Sequence, residues 1–203
     1  KGLPCYPNAG SKLMDRAKLA VVGAGLWGQN HIKAYQDHRG VELAALCDMN
    51  ESRLNEVADL YDIPNRFTDY RELMAMDGLD GVSIATPDFS HADIAVEAIG
   101  NGRHVIVEKP LATTMEDCDR IGEALADNPV KFMVDFHNRW NPAMQEFKNR
   151  IDSGEVGHAE MIYYRLSDRI SVPTDMLSWA GKSTVAWFLA SHCLDTMLWM
   201  LDD

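Results

Sequence analysis

Short apolar runs alternate with helical segments from about residue 17 to residue 136, and this alternation constrains the fold more than any other feature. The runs are rich in Val, Ile, Leu and Ala and lack the polar alternation of half-exposed strands. Such runs are typical of parallel strands that helices cover on both faces. Because crossovers between parallel strands are right-handed, the pattern predicts an α/β fold with a doubly wound parallel sheet.

The predicted elements follow one another closely up to residue 136. Pro64 and the segment 100–102, which contains two glycines, mark places where helices stop. Asp69 and Thr114 are suitable N-caps for the helices that follow them. The predicted strands are 18–25, 41–48, 81–86, 104–110 and 131–136, and the predicted helices between them are 26–38, 51–61, 69–76, 88–99 and 114–126.

The character of the sequence changes after residue 136. The pattern predicts a helix over 142–151, a long strand of mixed polarity over 158–169 and an apolar helix that ends at residue 201. The apolar stretch 185–201 contains His192 and Asp195, so it is predicted to be a buried helix and not a membrane span. These segments indicate the beginning of a second α/β domain.

A glycine motif joins the first predicted strand to the first helix. Residues 23–28 read GAGLWG, which is G-x-G-x-x-G. Gly23 permits the tight turn, Gly25 leaves room for a pyrophosphate, and Gly28 lets the helix pack close to the strand. The first N–H groups of the helix would bind the phosphates, with Leu26 and Trp27 beside them. The motif therefore predicts a Rossmann dinucleotide site.

Asp48 closes the second strand about 20 residues after the last glycine, where an acid is expected to bind a ribose hydroxyl. Its charge would repel a 2′-phosphate and so favours NAD over NADP, although Arg53 could relax that preference. S-adenosylmethionine, which uses similar glycines and a similar acid, remains an alternative ligand. Thr86, Pro87 and His91 follow the third strand and are also expected near the cofactor.

Glu108-Lys109-Pro110 ends the next strand, at the same edge of the sheet. Here the sequence resembles the glucose–fructose oxidoreductase / inositol dehydrogenase / MocA family of nicotinamide-dependent oxidoreductases. The resemblance runs from about residue 17 to the C-terminus. It is carried by GAGLWG at 23–28, Asp48, ATP at 85–87 with His91, EKP at 108–110, and HCLD at 192–195 followed by Trp199.

The resemblance implies a two-domain enzyme that binds NAD or NADP and oxidises a sugar or cyclitol hydroxyl, or runs the reverse. It implies that Lys109 and His192 are the catalytic residues, and that the second domain has an open, mostly antiparallel sheet. Lysine can stabilise negative charge on oxygen, and histidine is the better proton acceptor near neutral pH. Glu108 is expected to orient Lys109 beside the cofactor. Asp195 is expected to orient His192 or to bind substrate.

Three features depart from the family pattern. Phe188 stands where the family often has an Asp, and residues 182–186 replace a glycine-rich segment. The chain of 203 residues is also shorter than the family usually is. We therefore interpret it as 1–14, a flexible leader; 15–136, an NAD(P)-binding Rossmann domain; and 137–203, an incomplete substrate domain. Asn138, Arg139, Tyr163 and Arg165 are candidates to face substrate.

Charge and cysteine content restrict the partners. The net charge of −12 disfavours nucleic acids and anionic membranes as partners. Four scattered cysteines without a C-x-x-C pair predict reduced thiols in a cytoplasmic protein, and no metal site is predicted. A small polyol or sugar substrate is expected, together with homo-oligomers of the full-length protein.

Two other functions stay open on the sequence alone. Phe188 and the short chain would suit a non-catalytic dinucleotide sensor or regulatory protein of the same fold. A Rossmann methyltransferase would bind S-adenosylmethionine and no nicotinamide, but EKP and the HCLD segment argue against it.

Overall fold

The computed structural model describes residues 16–201 and contains one six-stranded sheet with the strand order β3-β2-β1-β4-β5-β6. Every neighbouring pair of strands is parallel. The prediction of a doubly wound parallel sheet is thus confirmed. The leader proposed for residues 1–14 lies outside the described residues. The strands are β1 Ala17–Val22, β2 Val41–Cys47, β3 Asn65–Phe67, β4 Gly81–Ile84, β5 His104–Glu108 and β6 Phe132–Asp135.

Helices cover the sheet on both faces. One face packs against α1 and α2 around Val21, Ile32 and Leu54. The other packs against α3, α4 and α5 around Ile84, Ile99 and Ile121. The helices are α1 Leu26–Asp37, α2 Glu51–Leu60, α3 Tyr70–Met74, α4 His91–Gly100, α5 Met115–Asp127, α6 Pro142–Asp152 and α7 Ser191–Leu201.

Helix caps follow the sequence signals. The Asp69 side chain accepts a hydrogen bond from the backbone N–H of Arg71 and caps α3. The Thr114 hydroxyl accepts from the backbone N–H of Asp117 and caps α5. These contacts satisfy donors that a helix start leaves unpaired, so both predicted caps are confirmed.

The segment after β6 differs from its prediction. A short 3-10 helix, His137–Trp140, leads into α6, and π-helical turns Val172–Met176 and Ala186–Ala190 precede α7. The strand predicted over 158–169 is wrong, because this stretch pairs with no strand of the described chain. All six strands of residues 16–201 belong to the single parallel sheet, so the predicted second sheet is not seen there.

Two further findings bear on the sequence predictions. Cys47, Cys118 and Cys193 are free thiols, while Cys5 lies outside the described residues. Over the described part of the chain, the helices fall short of the length and apolar character that a membrane crossing needs.

Candidate active site

The glycine turn between β1 and α1 is built tightly on two sides and left open on the third. Gly23 has φ +104°, and a Cβ there would lie 2.4 Å from the carbonyl oxygen of Ala85. A Cβ on Gly28 would lie 1.7 Å from the carbonyl oxygen of Gly23. A Cβ on Gly25 would meet nothing within 4 Å. The open space therefore lies beside Gly25.

Gly25 is also the N-cap residue of α1, and no side chain caps this helix. A helix start without a side-chain cap leaves N–H groups and the positive end of the dipole for an anion. The exposed side chains of Leu26 and Trp27 border this turn. This open, uncapped turn fits the pyrophosphate of a dinucleotide.

Asp48 follows β2 and reaches across to the glycine turn. One carboxylate oxygen accepts a hydrogen bond from the backbone N–H of Ala24 at 2.8 Å, and the other accepts from that of Asn50 at 2.8 Å. Each oxygen keeps a further lone pair, since an ionised carboxylate can accept about four hydrogen bonds. Asp48 thus holds the turn in place and can still accept from a ribose hydroxyl.

Polar groups of the residues after β4 already have hydrogen-bond partners within the protein. The Thr86 hydroxyl accepts from Ser90 at 2.9 Å. His91 is 1% exposed, and its ring nitrogens lie 2.8 Å from the carbonyl oxygen of Pro110 and 3.0 Å from that of Thr86. Both nitrogens face backbone carbonyls. We therefore assign His91 a structural role in place of the cofactor contact that the sequence suggested.

Lys109 lies at the end of β5, is buried, and precedes a cis peptide bond to Pro110. Its Nζ donates a hydrogen bond of 2.7 Å to the backbone carbonyl of Phe188 and lies 4.2 Å from the centroid of the Phe188 ring. Burial lowers the pKa of Lys109, against the opposing effect of nearby acids. Phe188 thus supplies a carbonyl acceptor and a ring face to this ammonium.

The Glu108 side chain points towards α1, where it contacts His31. One of its oxygens lies 3.2 Å from Nε2 of His31, and an oxygen of Asp135 lies 3.8 Å from the same nitrogen. The other ring nitrogen of His31 lies 3.3 Å from the Ser83 hydroxyl, which also bonds to Tyr35. The result is a polar network beneath the ends of β4, β5 and β6.

Within this network, the pKa values of Glu108 and Asp135 shift in opposite directions. Burial would raise the pKa of Glu108, but the His31 hydrogen bond and the charges of His31 and Lys109 lower it overall. Burial and the charge of Glu108 raise the pKa of Asp135. The donor atoms of His31, Glu108 and Asp135 lie within 4.8 Å of one another, so the three residues together offer a donor set for a cation.

His31 was missed by the sequence reasoning, although a signal was present. His31 follows Gly28 by three residues on α1, and residues three apart share one face of a helix. Gly28 packs against the strand, so His31 faces the sheet as well. The glycine motif therefore carried information about a polar residue beyond its last glycine.

His192 lies in the first turn of α7 and is 5% exposed. Its ring contacts Phe136 and His137, with centroid separations of 6.5 Å and 4.7 Å. Burial, followed by the positive charges of Lys109 and His137, lowers the pKa of His192 to about 4. Its imidazole is therefore neutral near pH 7.

Asp195 does not contact His192 through a hydrogen bond. Both of its oxygens are taken by Arg139, which donates from Nε at 2.9 Å and from a terminal nitrogen at 2.5 Å. The predicted orienting role of Asp195 is therefore corrected. Arg139 neutralises this carboxylate, which is 9% exposed.

The other candidate substrate residues lie apart from this pair. Asn138 donates to the Tyr164 hydroxyl at 3.5 Å. Tyr163 is 81% exposed, and Arg165 donates to Ser167 at 3.2 Å. Neither Tyr163 nor Arg165 is brought to Lys109 by a contact of the described chain.

The protein was compared with known families and structures. The Gfo/Idh/MocA family, described as an oxidoreductase family with an NAD-binding Rossmann fold, matches residues 17–136. Inositol 2-dehydrogenase of Salmonella paratyphi B is 32% identical over 189 residues, which are 92% of this chain and 55% of that protein.

Two solved structures resemble the fold closely. The apo scyllo-inositol dehydrogenase of Lactobacillus casei gives a TM-score of 0.85 at 20% identity, over 94% of this chain and 56% of that one. A levoglucosan dehydrogenase in complex with NADH gives a TM-score of 0.81 at 28% identity, over 92% and 54%. The chain thus spans about half the length of the relatives it matches.

Proposed function

The chain belongs to the Gfo/Idh/MocA oxidoreductase family with an NAD-binding Rossmann fold, and from this premise we propose that it transfers a hydride between a nicotinamide cofactor and a hydroxyl-bearing carbon of a sugar or cyclitol. The observation that carries the proposal is the placement of Lys109. Its ammonium is buried at the carboxyl end of β5, on the sheet edge that also carries the open glycine turn. Related proteins that are named as inositol dehydrogenases support the substrate class.

The cofactor fits the residues that line the turn. The open side of Gly25 and the uncapped start of α1 would accommodate the phosphates, and Asp48 would accept a hydrogen bond from the ribose. A bound nicotinamide would accept or supply the hydride. We infer a preference for NAD over NADP, because Asp48 would repel a 2′-phosphate.

Two side chains would handle the proton and the charge on the substrate oxygen. His192 is neutral near pH 7, so its imidazole has a free lone pair for the hydroxyl proton, and the lowering of its pKa to about 4 makes it a weaker base than a free histidine. Lys109 keeps N–H donors for the oxygen as negative charge develops there. The carbonyl of Phe188 and its ring face fix the direction of this ammonium.

The division of the chain at residue 136 is part of the proposal. We propose that residues 137–203 begin a substrate domain that faces the carboxyl ends of the strands. The contacts of Lys109 with Phe188 and of Ser183 with Asp88 join this region to the sheet edge. The bidentate pair of Arg139 and Asp195 connects two helices within the region. In the full-length protein the remainder of that domain would complete the substrate pocket.

The decisive experiment measures the reduction of NAD and of NADP by the full-length protein with a panel of inositols and sugars. We expect turnover with at least one polyol and a higher kcat/KM with NAD. Lys109→Met should lower kcat by roughly 100-fold or more, since removal of one charge-stabilising donor typically costs that much. The dissociation constant of NADH should change little.

The matched control is Lys131→Met. Lys131 is exposed and precedes β6, so it lies at the opposite edge of the sheet from the site. This variant should keep the parent rate. Parent-level turnover by Lys109→Met would overturn the role of that residue, and a protein that binds NADH without turning over any polyol would overturn the enzymatic function.

A further inference from the structure

The ring of His192 is oriented without a hydrogen bond from the described chain. Its Nδ1 is buried and has no hydrogen-bond partner within residues 16–201. Asp195, one helical turn further on, gives both oxygens to Arg139. Histidines that transfer protons usually have one nitrogen fixed by a carboxylate or a carbonyl. Within the described residues, this ring contacts the neighbouring rings of Phe136 and His137.

His137 is the nearest ring. The centroids of His137 and His192 are 4.7 Å apart with an interplanar angle of 67°, which is an edge-to-face contact. On its other side His137 stacks on Trp27, with centroids 6.0 Å apart and an angle of 25°. His137 thus stands between the glycine turn and the imidazole of His192.

The charged groups differ around the two histidines: a positive group lies near His192, and two acids lie near His137. Lys109, which directly follows β5, places positive charge near His192, and Glu108, the last residue of β5, opposes its effect. Glu108 and Asp135, at the ends of β5 and β6, interact with His137. His31 from α1 bridges those two acids.

The remaining charges nearby cancel each other. Arg139 on the short 3-10 helix and Asp195 on α7 form an ion pair.

We propose that His137 is a positioning residue for His192: its ring lies between Trp27 and His192 and holds the imidazole of His192 by edge-to-face contact. The catalytic consequence of this arrangement rests on the proposed function. His137 itself is exposed on its outer side, so its truncation should not unfold the protein.

Two substitutions separate the ring from the charge. His137→Phe keeps an aromatic ring and removes the charge, whereas His137→Ala removes both. His38→Phe is the matched control, because His38 is exposed and lies at the end of α1 before β2, at the far edge of the sheet. Histidine-labelled protein is titrated by NMR without substrate, with His192→Asn used to assign the His192 signal.

In the NMR titration, His137→Phe should raise the titration midpoint of His192 by roughly half a pH unit, as expected for one charge removed at this separation through a largely aqueous medium. The His192 signal should stay single and sharp in this variant and should broaden or split in His137→Ala. In kinetics, His137→Ala should lower kcat by roughly tenfold or more with little change in KM for NAD, and His137→Phe should recover most of that loss.

An unchanged His192 signal and midpoint in both variants would overturn the proposal, whatever the activity. So would a midpoint that moves equally in His38→Phe. If the parent protein turns over no polyol, the proposed function fails, while the NMR result still decides whether His137 positions His192.

Discussion

A buried imidazole makes the stability of this protein depend on pH. His192 is 5% exposed, and its pKa is lowered to about 4 by burial and by the charges of Lys109 and His137. A histidine in the unfolded chain binds a proton near pH 6.5. As the pH falls from about 6.5 towards 4, the unfolded state takes up this proton and the folded state does not. The stability that is present above pH 6.5 is therefore lost over this window.

We expect His192 to lower the free energy of unfolding by roughly 1.5–2 kcal/mol between pH 7 and pH 5. The measurement is urea unfolding of the parent protein and of His192→Asn at both pH values. The variant should lose less stability than the parent on acidification, by about that amount. His91, whose pKa is also lowered by burial, contributes equally to both proteins and cancels. Equal losses in the two proteins would contradict the prediction.

At the scale of single residues, the sequence predicted the positions of polar groups better than their contacts. Lys109 and Asp48 were predicted as site residues because each ends a predicted strand, and that rule needs only the order of elements. The pairing of Asp195 with Arg139 was missed, because the two are 56 residues apart and nothing in the spacing shows that they meet. His137 was missed for the same reason.

At the scale of elements, two glycines of one turn have different physical roles. Gly28 touches the turn itself, since a Cβ there would lie 1.7 Å from a backbone oxygen that cannot move aside. Gly25 has open space around it. Gly28 is thus required for folding, whereas Gly25 leaves space in which a ligand can approach the backbone.

This difference gives a paired prediction. Gly28→Ala should destabilise the protein by roughly 3 kcal/mol or more, because backbone must shift to admit the methyl group. Gly25→Ala should leave the melting temperature within a few degrees of the parent value and weaken NADH binding by tenfold or more. Thermal melts and fluorescence titrations with NADH check both. Tight NADH binding by Gly25→Ala would show that the cofactor does not use this space.

The prediction of secondary structure succeeded where the apolar pattern is long. It failed where the formation of a strand depends on its pairing partner. Five of the strands were anticipated from apolar runs, but β3 has only three residues, two of them exposed, and gives no such signal. The stretch 158–169 has the composition of a strand yet pairs with nothing in residues 16–201. A strand exists only when a neighbour accepts its hydrogen bonds, and composition does not show the neighbour.

At the scale of the whole molecule, a few polar contacts attach the segment after β6 to the sheet edge. Within that segment, Arg139 and Asp195 tie the short helix after β6 to α7. Ser183 donates to Asp88, which is 4% exposed, and Lys109 donates to Phe188. Because each contact involves a charge that is largely removed from water, the loss of one partner should cost more stability than the loss of an exposed ion pair.

Asp195→Asn tests this attachment. We expect a loss of about 1–3 kcal/mol in the free energy of unfolding, and faster hydrogen exchange in α7, because Arg139 loses its partner. Glu146→Gln is the control, since the pair of Glu146 with Arg150 is exposed on both sides. That change should cost less than about 0.5 kcal/mol. Similar losses in the two variants would mean that the pair of Arg139 with Asp195 does not fasten α7.

The acceptor that faces Lys109 belongs to the main chain of residue 188. A codon change at that site replaces the side chain and leaves the carbonyl in place, so the ammonium keeps its partner whatever amino acid the gene encodes. A backbone acceptor of this kind is retained when the side chain at its position mutates. An acidic side chain at position 188 could therefore be replaced by an aromatic one while the buried ammonium of Lys109 keeps its hydrogen-bond acceptor. The side chain at this position would then be able to change with the substrate.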